Sequence, residues 1–149
     1  MLQHLKSGSI AVLLLLLAAT AFQAHGADAG RIKSASGSVH IERGGDRIPA
    51  QIGTPVRAAD TLVTGPDGSA GITFIDNSRM SAGPNSTLII DRYAFDHATH
   101  TGVLDASLRR GTLAAVSGRL AKHSSAAVTV RTPTMVLGVR GTEFLVYAE

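Results

Sequence analysis

The sequence contains no cysteine. That excludes a disulfide framework, a thiolate metal site and a thiol for lipid attachment, so core packing must hold the chain together. Aromatics are scarce, two tyrosines and four phenylalanines, which leaves little with which to build a stacking platform for bases or sugars. Neither sign of charge dominates: 14 basic residues face 11 acidic ones and are scattered rather than clustered, so a pI near 9.8 says little about nucleic acid. Only one long hydrophobic run occurs, from Ile10 to Phe22.

That run follows a short polar head carrying Lys6 and precedes small residues, the pattern of a secretory signal peptide. At about 13 residues it falls short of the roughly 18 to 20 that span a bilayer. Cleavage is expected after Ala24-His25-Gly26, with Ala27-Asp28-Ala29 as a second candidate, and an uncleaved amino-terminal anchor is the competing reading. The expected organisation is a signal peptide over 1–26, a short linker over 27–33 and one domain over 34–149, with a periplasmic or secreted destination. Losing Lys6 takes one from the 14 basic residues and leaves 13 against 11.

From Ser36 onward, alternating or β-branched runs are separated by Gly, Pro, Asp and Asn about every eight to twelve residues, an all-β pattern. Gly37–Arg43 reads as a strand closed by the tight turn "GGD", and Pro49 marks an edge or interrupted strand. Ser69–Asp76 and Ser78–Gly83 flank an Asx-type turn at Asp76-Asn77. "TLIIDRYAF" is a strand and "DHATHTG" a polar loop. "VLDASLRRGTLAAVSG" fits helical spacing and strand alternation about equally, but Gly111 and Thr112 break the helical pattern and a strand is expected. Ala121–Ala126 reads as a loop. "GPDGSAGITF" and "GPNSTLII" repeat a turn and strand about 18 residues apart, the punctuation of a rolled or solenoid-like β-sheet. A two-sheet β-sandwich is the alternative.

The sequence holds no nucleophile elbow, phosphate loop or zinc-protease motif, and no catalytic residue, metal ligand or cofactor is assigned. His97 and His100 beside Asp96 are the best metal candidates, but on a polar loop they read as solvated; nothing in the sequence joins His40 or His123 to them. Asp60, Asp67, Asp76, Asp91 and Asp96 lie near strand ends, where a carboxylate accepts local backbone hydrogen bonds.

Three stretches, from "GTPVRAADTLVTGPDGSAGITFIDNSRMSAGPNSTLIID" through "LRRGTLAAVSG" to "VRTPTMVLGVRGTEFLV", resemble the FecR domain over about Ser34 to Tyr147. The resemblance implies an all-β, non-enzymatic envelope domain with a role in iron-siderophore signalling. About nine residues precede the hydrophobic run and the chain ends at Glu149, so a free-standing exported domain is expected rather than a transmembrane anti-sigma regulator. Two functions remain open: recognition of another envelope protein, through an exposed strand edge, or binding of a cell-wall glycan or iron chelate through Arg109, Arg110, Arg131 or Arg140. No nucleic-acid partner and no membrane span after leader cleavage are expected.

The ending "VRTPTMVLGVRGTEFLVYAE" reads as two strands joined by a constrained corner. Pro133 ends the first, Met135 to Val139 are expected to be buried on both faces, and Gly138 is expected to admit a neighbouring backbone or large side chain. Gly141 and Thr142 form the corner, and Phe144 returns to the core. Arg140 is expected to bind turn carbonyls or Glu143, or to face a partner.

Overall fold

A computed structural model describes residues 26–124, 127–140 and 143–149. The expected leader therefore lies, apart from Gly26, outside the described residues, as do Gly141 and Thr142. The fold is a curled antiparallel half-barrel, all-β as the alternation requires. Its strands are β1 (Asp28–Ser36), β2 (Val39–Arg43), β3 (Asp46–Pro49), β4 (Pro55–Arg57), β5 (Thr61–Thr64), β6 (Ser69–Phe74), β7 (Arg79–Ala82), β8 (Thr87–Phe95) and β9 (Gly102–Val116). After one helical turn, α1 (Leu120–His123), come β10 (Val128–Arg131), β11 (Val136–Gly138) and β12 (Glu143–Ala148).

β9 organises the sheet because it belongs to two wings. Its first half pairs with β8 and, in parallel, with β10, giving the wing β3-β2-β5-β8-β9-β10-β11. Its second half pairs with β7 and β12, giving the wing β4-β1-β6-β7-β9-β12. The switch is written in the burial pattern: Leu104, Ala106 and Leu108 point inward, then Arg109 and Arg110 are both exposed, then Leu113 and Ala115 point inward. The β8–β9 register slips at this point, between Thr87 and Leu88, and Gly111 adopts φ +97°. This is a β-bulge that inverts the phase of the strand and turns it from one wing into the other.

The turns follow their chemistry. Gly44 and Gly45 take φ of 56° and 87°, the pair of positive angles a two-residue hairpin needs, and β3 with Pro49 lies at a sheet edge. Ile32, Ile41, Leu62, Ile72, Phe74, Met80, Leu88, Leu104 and Leu113 fill one continuous core between the wings, and Leu120 of α1 reaches into it.

Four expectations are corrected. Residues 27–33 are not a linker: β1 begins at Asp28, buries Ala29 and Ile32, and pairs with β4 and β6. Ala121–Ala126 is not wholly a loop, since Leu120–His123 forms the helical turn. Met135 and Val136 are exposed rather than buried, because β11 is an edge strand with no layer over one face. The aspartates divide: Asp60, Asp76 and Asp96 accept from nearby amides as expected, while Asp67 accepts from the distant Ser38 amide and Asp91 from the Ser107 hydroxyl.

Candidate binding surfaces and internal fasteners

Most polar side chains that sequence inspection singles out are structural. The Asp60 carboxylate is buried and accepts hydrogen bonds from Nε and an NH2 of Arg43, both at 2.7 Å, and from the Arg57 amide at 2.8 Å. Arg43 also reaches the Pro55 carbonyl at 3.0 Å, so one guanidinium ties β2 to the start of β4 and to the end of the β4–β5 connection. This pairing raises its already high pKa. Thr64 donates to the Gly83 carbonyl at 2.6 Å and accepts from the Ser86 amide at 2.9 Å, which locks the two Gly-Pro turns together.

Asp76 is fully buried and has no cationic partner among the described residues. Its oxygens accept from the Ser78 hydroxyl at 2.6 Å, the Tyr93 hydroxyl at 3.1 Å and the Leu120 amide at 3.3 Å. Its carbonyl takes the Arg119 amide at 2.8 Å, while Ser78 takes the Gly118 amide at 2.9 Å. The β6–β7 turn thus fixes the chain leading into α1. Burial, and then the adjacent Asp76 carboxylate, push the Tyr93 phenol well above its ordinary pKa. Tyr93 also stacks on Phe74 at 5.4 Å.

The four candidate arginines do not form one site. Arg109 and Arg131 line a shared shallow cleft with Thr132 and Pro133, brought together because Ser107 and Arg131 are register partners. Arg110, displaced by the bulge, lines a different cleft with Asn85, Tyr147 and Glu149. Arg140 is exposed and makes no ion pair with Glu143 or any other described residue. Pro133 is exposed, Gly138 closes β11 opposite Thr129, and Phe144 is half-buried against the core.

The histidines meet differently from the sequence reading. His97 and His100 flank Phe95, with ring centroids 5.0 and 6.0 Å away, and His123 of α1 packs 5.7 Å from His100. No group of three metal-ligating side chains converges among the described residues. His123 could not have been found from sequence, since it lies on a helical turn too short to leave a periodic signal.

One surface had a partial sequence signal. Among the described residues β12 pairs only with β9, and on its exposed face Leu145 and Tyr147 are 75% and 64% accessible. Alternating apolar residues at both strand faces were readable, but not which side lacked cover.

A curled antiparallel sheet with a polar-fastened core and open clefts defines an all-β scaffold domain. A family model described as "FecR protein" matches residues 60–149, more than half of the chain. The chain belongs to the FecR family, which serves envelope signalling and iron-siderophore regulation and is not known for enzymatic activity. The matched segment contains Asp60, Thr64, Asp76 and Ser78, which in this chain are internal fasteners. No curated protein and no solved structure matches the chain. No helix among the described residues is long and apolar enough to cross a membrane.

Proposed function

We propose that this chain is a non-enzymatic binding module, exported by its leader over residues 1–26 and released near Ala27, that engages another envelope protein by strand addition at β12. The free edge of β12 carries the proposal. Among the terminal strands of the two wings, β3 carries Pro49 and charged Asp46 and Arg47, while β4 and β11 are three residues long. β12 has six residues, lacks proline, glycine and lysine, and presents Leu145 and Tyr147 outward. Natural proteins usually blunt such an edge, and an extended partner segment would satisfy its backbone groups while covering both side chains.

A photo-crosslinking residue at Leu145 or Tyr147 should trap one envelope protein in vivo, whereas the same residue at Ile52, which is 73% exposed, should not. Equal trapping at all three positions, or undiminished trapping at either β12 position when the other is changed (Leu145→Lys or Tyr147→Lys), would overturn the assignment. The Arg109–Arg131 cleft supports a second reading, a glycan or iron-chelate site. That reading requires a saturable thermal shift with iron chelates or muropeptides, abolished in Arg109→Ala/Arg131→Ala and kept in the β12 variant.

A further inference from the structure

The strongest unassigned feature lies on the same wing as β12, beside the β6–β7 turn, and does not depend on the strand-edge proposal. A cleft of about 430 Å³ opens between the β6–β7 turn and α1, walled by Arg79 on one side and by Arg119 and Lys122 on the other. Asn77, Ser117 and Thr73 supply further polar lining, and Val116 is the one sizeable apolar side chain there. We propose that this cleft binds a small soluble phosphoanion carrying two or more phosphoryl charges.

Charge is the first argument. Arg31, Arg43, Arg47, Arg57 and Arg92 each have a carboxylate partner. Arg79, Arg119 and Lys122 have none among the described residues, although they face one concavity. The acids nearest by register or sequence are already committed or lie off the lining. Asp76 is buried in its own network, Asp28 is paired with Arg31 and Arg57, and Glu143, the β12 register partner of Val116, does not line the cleft. Three like charges around one volume repel each other, and an anion relieves that repulsion while taking hydrogen bonds from both guanidinium forks.

Placement is the second. Arg79 is fixed in register between Thr73 of β6 and Val116 of β9. Arg119 is fixed by its own amide on the Asp76 carbonyl, and α1 by the Leu120 amide on the Asp76 carboxylate. Those backbone amides are consumed internally, so recognition would come from side chains and not from the helical turn. The volume lies in the range of small-ligand sites and exceeds what one monatomic ion fills. The concave, polar lining suits a soluble anion better than a bilayer surface.

The test is calorimetric titration of the leaderless chain with inorganic pyrophosphate at near-physiological salt, with succinate as the carboxylate control. The expected result is saturable binding of pyrophosphate, at least tenfold weaker for succinate. Affinity should fall at least tenfold in Arg79→Gln/Arg119→Gln/Lys122→Gln and less than twofold in Arg109→Gln/Arg131→Gln, which lowers net charge in the other cleft. Absence of saturable binding, an equal loss in both variants, or association only with phosphatidylglycerol vesicles would each overturn the proposal.

Discussion

Removing the Asp60 carboxylate should destabilise the fold by about 3 kcal/mol, near the lower end of what breaking a buried ion pair costs. The geometry sets that figure. Asp60 receives two charge-assisted hydrogen bonds from Arg43 and one from the Arg57 amide, and it is 1% exposed. In Asp60→Ala the Arg57 amide loses its acceptor, while Arg43, whose side chain is 28% exposed, can recover part of its hydration. In Asp60→Asn an oxygen remains for the Arg57 amide, and the loss should be about 1–2 kcal/mol. With a urea slope of about 1.5 kcal/mol per M, the alanine variant should shift the unfolding midpoint down by about 2 M. Arg43→Met with Asp60→Ala completes a double-mutant cycle, and the coupling should reach about 2 kcal/mol. A midpoint shift below about 0.3 M for Asp60→Ala, or additive single changes, would refute the view that this pair fastens β2 to the β4–β5 connection.

The other buried polar groups give further expectations. Because the folded Tyr93 pKa lies above its unfolded value, its contribution is complete below about pH 10 and is lost as pH rises through the folded value; Tyr93→Phe should flatten the alkaline fall in urea midpoint. In the Tyr147→Phe background, where Tyr93 is the remaining tyrosine, tyrosinate absorbance should appear only above the ordinary phenol range. Asp96 is held below the ordinary carboxylate range first by the Ala98 amide and then by the Thr99 amide, so its contribution holds above about pH 4 and is lost as pH falls through the lowered value. Carboxyl NMR should show that low titration, and Asp96→Asn should remove the acid-induced change in the β8–β9 loop; a normal titration would contradict it. Gly111→Ala places a Cβ into Ser86 at a positive φ and should cost about 2–4 kcal/mol, whereas Gly44→Ala, which meets nothing, should cost only about 1 kcal/mol for its φ; equal Tm losses would refute the bulge argument.

Local features were the legible ones. The Gly44-Gly45 hairpin could be read because the residue type states the backbone angle, and Pro49 announced an edge because it cannot donate to a ladder. The bulge at Arg109-Arg110-Gly111 was not legible: Gly111 counted only against helical spacing, and the need to pass β9 from one wing to the other depends on strands far away in sequence. Asp60 was visible as a carboxylate near a strand end while its partner Arg43, 17 residues earlier, was not, since nothing local selects that arginine. The same limit hid β1, whose small and charged residues look like a linker until β4 and β6 pair with them. It also hid the basic cleft, whose three cations come from β7, the segment after β9, and α1.

The positions of β1 to β4 carry a further consequence. They close both wings, β1 and then β4 lying beyond β6, and β2 and then β3 beyond β5, yet all of them precede the segment that the family match covers. Expressed alone, residues 60–149 would bare the edges of β5 and β6 and leave Asp60 without Arg43, creating two templates for intermolecular strand pairing. The amino-terminal strands thus act as a solubility guard: they cover β5 and β6 and leave as edges β3, which carries Pro49, and β4, which is three residues long.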